Sequence, residues 1–325
     1  MKNKSQLSSP LGRSGGAYRL LIMIILDGKK TSNDIKDEIA AEVEKIKKRG
    51  EKVPHLAAII VGNDGASLTY VNAKVKSCKR VGFQSSLYRL PNTVSELELL
   101  DKIEELNQND DIDGFIVQLP LPPQIDTQKV LNAVDPDKDV DGFHPTNFGK
   151  MALDMTSFIP ATPFGILELL ERYDIPTKGK HTVVIGRSYI VGRPMSILMG
   201  RSGFPGNSTV TLTHEFTKNI TQITSQADII IIAVGIPDFL KAEMIKDDAV
   251  IIDVGITRVP NDEAEKGYVI KGDVDFDNVS KRASYITPVP GGVGPMTVSM
   301  LLKNTLLATE RHKKRAKENS KARSV

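Results

Sequence analysis

Tyr70 and Lys74 lie four residues apart in Tyr-Val-Asn-Ala-Lys. On a helix that spacing puts a phenol and an amine on one face. Far downstream, Thr182–Ile185 reads as a strand running straight into Gly186-Arg-Ser-Tyr-Ile-Val-Gly192. A strand, a glycine turn and a helix start make an anion site, with backbone N–H groups and the helix dipole facing the phosphates. Gly186 and Gly192 bracket the turn, and Arg187 and Ser188 add donors. The loop is neither Gly-x-Gly-x-x-Gly nor an ATP loop ending in Gly-Lys-Ser/Thr, so alone it reads equally well as a dinucleotide site or a tight structural turn. Gly235 and Gly255, each following a later strand, favour the nucleotide, because ligands of open α/β sheets bind at the carboxyl ends of strands. A lysine in one unit facing a cofactor held by a later one suggests an enzyme.

The pattern of the chain supplies the elements that must position these groups. A short strand is expected at Leu20–Leu26, then a helix capped by Thr31-Ser32-Asn33-Asp34 and stopped at Gly50. His55–Val61 reads as a buried strand. The turn Gly62-Asn-Asp-Gly65 leads into the helix bearing Tyr70 and Lys74, which ends at Gly82. A strand at Ser85–Leu90, an amphipathic helix at Ser95–Asn107 with Leu97, Leu100 and Ile103 on its apolar face, and a strand at Gly114–Leu119 follow. Pro160 and Pro163 mark a boundary. Beyond it come a helix at Gly165–Tyr173 and strands at Thr182–Ile185, Thr209–Thr213, Asp228–Val234 and Ala249–Val254, with a last long helix from about Pro295. Strands alternating with helices imply parallel α/β sheets, the second unit of doubly wound type.

Composition narrows the classes. The 325 residues are 40% hydrophobic and 26% charged, ordinary for a globular protein with two modest domains. The net charge of +3 is unevenly placed: residues 311–325 carry +6, leaving the body at −3. A slightly acidic body argues against a nucleic-acid binder, and the basic tail reads as a solvated helix end that frays. Leu20–Leu26 is too short to cross a bilayer. Cys78 is the lone cysteine, so no intrachain disulfide can form and a reducing cytoplasm is the default. It reads as a structural thiol. Residues 1–19 contain Ser, Gly and four basic residues but no acid. That composition weakly resembles a transit peptide, and the preferred reading of residues 1–22 is a disordered extension. The five histidines show no metal-ligand spacing, so no metal is expected.

Several longer segments together resemble the methylenetetrahydrofolate dehydrogenase/cyclohydrolase family. They are Tyr70-x-x-x-Lys74, Val117-Gln-Leu-Pro-Leu-Pro122, Asp137-Lys-Asp-Val-Asp-Gly-Phe143, Pro160-Ala-Thr-Pro163, Gly186 through Pro194, Asp253-Val-Gly-Ile256 and Thr287 through Thr297. The match spans roughly residues 23–310. The resemblance implies an N-terminal parallel α/β catalytic domain (23–155), a Rossmann-type NAD(P)-binding domain (156–294) and a C-terminal helix (295–325) returning to the first domain. It implies oxidation of 5,10-methylenetetrahydrofolate with NADP, hydrolysis of the methenyl product to 10-formyltetrahydrofolate in one cleft, and a homodimer.

Under that resemblance, Lys74 becomes the central catalytic residue, because a lysine whose pKa is lowered by burial can serve as general base or acid. Gln118 would hold the amine without raising its pKa, Tyr70 would stack on the folate rings, and Asp141 would accept from the pterin. Val117, Leu119 and the loop Pro290-Gly291-Gly292-Val293-Gly294-Pro295 would line the folate side, the glycines allowing close backbone approach. Gly186, Arg187, Ser188, Ile190, Val191, Gly192, His214, Glu215, Gly235, Gly255 and Ile256 would line the cofactor side. In isolation the bland readings win: a surface lysine, a strand-end glutamine, a turn aspartate. Their joint placement in these segments reverses that.

Two departures stand out. Ala161 replaces a cysteine common in the family, at what reads as a packing position. Glu215 stands where NADP-using relatives often carry Ser or Arg; a carboxylate there repels a 2′-phosphate and suits a free 2′-hydroxyl, so NAD use is also expected. A dehydrogenase that has lost the hydrolase, and a non-catalytic NAD(P)-binding module, are the competing readings; the presence of Lys74, Gln118 and Asp141 argues against both. A Tyr-x-x-x-Lys pair also belongs to short-chain dehydrogenases, but there the glycine turn precedes the pair, and here the order is reversed.

Overall fold

The computed structural model describes residues 23–322 apart from Asp64 and Lys266; the expected N-terminal extension and the start of the Leu20–Leu26 strand lie outside them. In chain order the elements are β1 (Ile24–Ile25), α1 (Gly28–Lys48), β2 (His55–Val61), α2 (Gly65–Val81), β3 (Gln84–Leu90), α3 (Glu96–Gln108), β4 (Gly114–Val117), α4 (Thr127–Ala133), α5 (Pro145–Ala152) and α6 (Ala161–Arg172). They continue with β5 (His181–Ile185), α7 (Gly192–Gly200), β6 (Thr209–Thr213), α8 (Ile220–Thr224), β7 (Ile229–Ile232), β8 (Val250–Asp253), β9 (Thr257–Pro260), β10 (Tyr268–Lys271), α9 (Phe276–Val279), β11 (Tyr285–Ile286) and α10 (Val293–Ala322).

Two parallel sheets result. The first has the order β3-β2-β4 and the second β1-β11-β8-β7-β5-β6, with β9 and β10 forming a separate antiparallel hairpin. In the second sheet the chain leaves β5 on one side to β6 and returns on the other to β7. The crevice at the carboxyl ends of β5 and β7 is therefore a topological switch point. Near-continuous apolar runs such as Ile229–Ile232 suit strands covered on both faces. One apolar core runs through α1, α2, α6, α7 and α10 and joins the facing sides of both sheets; separate clusters cover the outer face of each sheet. Helix α10 packs along α6 and α1 and also touches α2, β2 and β4.

Four local expectations are corrected. The strand at Ile24–Ile25, expected at the head of the first unit, pairs with Tyr285–Ile286 at the edge of the second sheet. Helix α1 begins earlier than Thr31 and is capped by Asp27, whose Oδ1 accepts from Lys30 N at 2.8 Å; Thr31 instead donates its hydroxyl back to Asp27 O. The buried face of α3 is Leu99, Ile103 and Leu106, while Leu97 is 68% exposed. Ser95 and Glu98 form a capping box that fixes where α3 starts, and that start sets the face. The basic tail does not fray within the described residues. Helix α10 continues to Ala322, with Lys313 Nζ 2.9 Å from Glu51 and Arg315 paired with Asp137.

Candidate active site

Lys74 is placed by helical spacing. Val71, Lys74, Cys78 and Val81 form one buried stripe of α2, so the lysine points into the core side of its helix. Burial lowers its pKa, with the Asp141 charge opposing; burial likewise raises Asp141, opposed by Lys74. Both groups are thereby drawn toward their neutral forms. Lys74 Nζ donates to Gln118 Oε1 at 3.2 Å, and Gln118 Nε2 donates to Leu119 O at 2.8 Å, which fixes the orientation of the amide. Gln118 directly follows β4, its own N–H bonded to Ile59 O. Cys78, one turn on, is driven up to about 12 by burial, consistent with a packing role.

Asp141 is delivered by an extension of the first sheet. Phe115 in β4 bridges Asp139 in parallel fashion. The buried Asp139 carboxylate accepts from Phe143 N, His144 N and Asn147 Nδ2, and burial holds it up at about 7. Asn304 of α10 donates to Val140 O and Ile159 O, tying the loop to the last helix. Gly142 adopts φ 74°, and a Cβ there would lie 2.7 Å from Pro160 N, so the turn after Asp141 requires glycine.

The facing wall is the end of the second sheet. Gly186 has φ 110°, and a Cβ on it would sit 2.3 Å from Ala233 O. A Cβ on Gly192 would sit 1.9 Å from Gly186 O. The turn thus closes on itself, with Ser188 Oγ accepting from Val191 N and Gly192 N. Two buried aspartates brace the adjoining loops. Asp253 accepts from the N–H groups of Gly255, Asp273 and Val274, and Asp273 accepts from Val234 N and Gly235 N. A Cβ on Gly255 would lie 2.4 Å from Asp273 Oδ1. These glycines let the loops pack this closely on one another and so shape the wall at the carboxyl ends of the strands, where a dinucleotide would fit.

Between the walls is a cavity of about 540 Å³. It brings together Tyr70, Lys74, Val117, Gln118, Leu119 and Asp141 from the first unit with Ser188, Ile190, Val191, Gly235, Gly255, Ile256, Val293 and Gly294. Pro290, Gly291, Gly292 and Pro295 line an adjoining compartment instead. Gly186 and Gly192 shape the turn without lining the cavity. Arg187, His214 and Glu215 lie on its flank: Arg187 Nε donates to Glu215 Oε2 at 3.2 Å and its guanidinium lies over the Phe216 ring, while His214 caps the same turn by accepting from Phe216 N. The arginine expected to be available for a phosphate is thus already held by a carboxylate. Residue reasoning missed Phe143, Thr162, Thr257, Asp273 and Thr297 in the lining. Phe143, Thr162 and Thr297 sit inside the quoted segments, and Thr162 Oγ1 lies 3.2 Å from Thr297 Oγ1, but hydroxyls carry little sequence signal of their own. Ala161 is buried at the start of α6. No cluster of metal-ligating side chains occurs among the described residues.

Comparison with known proteins matches residues 26–141 to "Tetrahydrofolate dehydrogenase/cyclohydrolase, catalytic domain" and residues 160–313 to "Tetrahydrofolate dehydrogenase/cyclohydrolase, NAD(P)-binding domain". The chain belongs to the tetrahydrofolate dehydrogenase/cyclohydrolase family. The bifunctional protein FolD of Christiangramia forsetii is 91% identical over 92% of this chain and all of that protein. The crystal structure of the bifunctional FolD enzyme from Campylobacter jejuni superimposes with a TM-score of 0.84 at 44% identity, covering 90% of this chain and 99% of that one. FolD of Trypanosoma brucei, solved in complex with NADP cofactor and an inhibitor, gives 0.85 at 38% identity over 89% of this chain and 98% of that one. As a member of the tetrahydrofolate dehydrogenase/cyclohydrolase family the chain is an enzyme with oxidoreductase and hydrolase activities, and the two matched domains meet at the cavity.

Proposed function

We propose that one bound folate is processed twice in this cleft: oxidation of 5,10-methylenetetrahydrofolate to the 5,10-methenyl cation, then hydrolysis to 10-formyltetrahydrofolate. The observation that carries the reading is buried Lys74, bonded to half-buried Gln118, facing Ser188, Gly235 and Gly255 across one cavity. A nicotinamide cofactor held against the Gly186–Gly192 turn, Gly235 and Gly255 would supply the hydride acceptor for the methylene carbon. The protein's part in that step is placement: Tyr70, half-exposed at the cavity mouth, offers its ring face, and Asp141 accepts from the pterin.

In the hydrolysis, water adds to the methenyl carbon as the Lys74 amine takes one of its protons. A C–O bond forms and the positive charge on the folate is lost. The bond from that carbon to N5 then breaks. N5 gains a proton, delivered by Lys74, and the hydroxyl loses one as the formyl C=O forms, so one proton leaves overall. The depressed Lys74 pKa keeps the neutral amine accessible, and the uncharged Gln118 fixes it without opposing that.

NADP is the inferred cofactor, supported by the NADP complex of the trypanosomal relative. Discrimination against NAD is weakened, because Glu215 occupies the Arg187 guanidinium that a 2′-phosphate needs. Homodimerisation and a cytoplasmic location rest on the family resemblance and on the lone buried thiol. They are tested by light scattering and by cell fractionation. The deciding assay follows absorbance with 5,10-methylenetetrahydrofolate and each cofactor, for wild type and Lys74→Met. Methenyl product accumulating in the variant, or loss of both activities, supports the assignment; an unchanged hydrolysis rate removes Lys74 from its role.

A further inference from the structure

The turn that carries Asp141 is closed from both ends by one residue that lines neither compartment. Asp139 O accepts from Gly142 N at 3.1 Å. The Asp139 carboxylate reaches past Gly142 to the next two backbone N–H groups: Oδ1 accepts from Phe143 N at 3.2 Å and Oδ2 from His144 N at 2.8 Å. Asn147 Nδ2 completes the set at 2.9 Å and also donates to Pro136 O, so α5 is tied to the chain ahead of the turn as well. Asp141 and Phe143, on either side of Gly142, both line the main cavity. Their placement therefore depends on one buried side chain behind them.

The partners of that side chain are all donors. A carboxylate, which only accepts, satisfies the three N–H groups at once. A protonated carboxyl cannot: its O–H must point at one of them, and the donor it displaces is left buried and unpaired. Burial opposes the charge and holds the group at about 7. The charge acting on it is Asp141, of like sign, which is itself opposed by Lys74 of α2. The other charged groups around the turn are engaged elsewhere. His144 of α5 accepts from Thr146 N and donates to Asn132 O, and Asp135 and Lys150 act on its ring. Lys138 Nζ donates to Leu106 O and Asn109 O. From α10, Arg315 pairs with Asp137 and Arg311 lies over the Phe158 ring.

Resting on the folate reading of the site, we propose that Asp139 is a positioning residue for the folate: its ionised carboxylate holds the Asp141–Phe143 turn against the cavity, and its protonation releases the turn and weakens folate binding while leaving the cofactor side untouched. It acts through Asp141 and Phe143 and does not itself meet the ligand.

The test is calorimetric titration of wild type, Asp139→Asn and Asn147→Leu with 5-formyltetrahydrofolate in the presence of NADP, and with NADP alone. The folate is stable, and its own ionisations lie outside the range between about pH 6 and pH 8 that is scanned. With the carboxyl at about 7, the wild-type Kd for the folate is expected to rise roughly tenfold from pH 8 to pH 6. Asp139→Asn carries no charge at any pH; it should bind the folate roughly tenfold more weakly at pH 8 and lose the pH dependence. Asn147→Leu removes one donor to the carboxylate while leaving Asp141 and Lys74 in place, and should move the midpoint upward by about one pH unit. Mere loosening of the loop would not move that midpoint, so this variant decides the matter even if Asp139→Asn fails to fold. Kd for NADP at pH 8 should be alike in all three proteins. A flat wild-type profile, a midpoint unmoved in Asn147→Leu, an inflection that survives in Asp139→Asn, or NADP binding weakened as much as folate binding overturns the proposal. Failure of wild type to bind the folate at pH 8 overturns the folate reading instead.

Discussion

Lys74 Nζ sits 3.2 Å from Gln118 Oε1, and Gln118 is held in turn by its bond to Leu119 O. An amide at this position orients the amine without adding a charge of its own to that of Asp141. Gln118→Glu replaces it with a near-isosteric carboxylate, which favours the ammonium and raises the Lys74 pKa. With Lys74 as the proposed base, the ascending limb of the hydrolysis pH profile is expected below the ordinary lysine value of 10.5, because burial lowers Lys74, and should move upward in the variant. An expected consequence is a hydrolysis rate at neutral pH reduced by about tenfold or more, recovering at alkaline pH. A profile unmoved by the substitution would falsify the assignment of that limb to Lys74.

Burying Lys74 should also cost stability. Its folded pKa lies below its unfolded value, so between the two the unfolded chain binds more protons and wild-type stability rises with pH. Lys74→Met fills the same buried stripe without a charge. It should raise the thermal midpoint at pH 7 by a few degrees, of order 1 kcal/mol, and the advantage should shrink as pH approaches 10.5. Calorimetry across that range checks the sign; a variant less stable than wild type at pH 7 contradicts it.

The proposed weakening of cofactor discrimination rests on the Arg187–Glu215 pair. Both side chains are substantially exposed, 40% and 60%, so the pair is weak and exchangeable. Glu215→Ser frees the guanidinium and should raise kcat/KM for NADP about tenfold while lowering or sparing that for NAD. Wild-type kcat/KM favouring NADP by several orders of magnitude would show that Glu215 does not weaken discrimination.

The end of α10 is an electrostatic clasp on the first unit. His312 approaches the buried Asp113, Lys313 pairs with Glu51 and Arg315 with Asp137. Truncation after Arg311 should lower the midpoint by about 2–4 °C at low salt and by less at high salt, since such pairs are screened. Turnover should persist, because none of these residues lines the cavity.

Buried loops decided more of the site than its visible chemistry suggests. The shared face of Tyr70 and Lys74 was legible from spacing, their candidate roles only through the family segments around them, and the turn at Gly186 and Gly192 from a strand running into it. Asp273 was not: its role depends on accepting from Val234 N and Gly235 N, residues 39 and 38 positions away in the chain. The apolar face of α3 was misjudged because Leu97, Leu99 and Leu100 fit overlapping stripes, and only the Ser95 capping box sets which one turns inward.

By itself, the sequence determined the alternation of strands and helices, the order of lysine helix before nucleotide turn, and the candidate catalytic residues. The first two follow from local periodicity and chain order, and the candidate residues from the joint placement of several family segments. Tertiary structure alone decided that Ile24–Ile25 completes the distant second sheet, that Arg187 is already engaged by Glu215, and that the basic tail is docked. Each depends on contacts across long stretches of chain, where pairing is chosen by edges and charges that meet only once the core has closed.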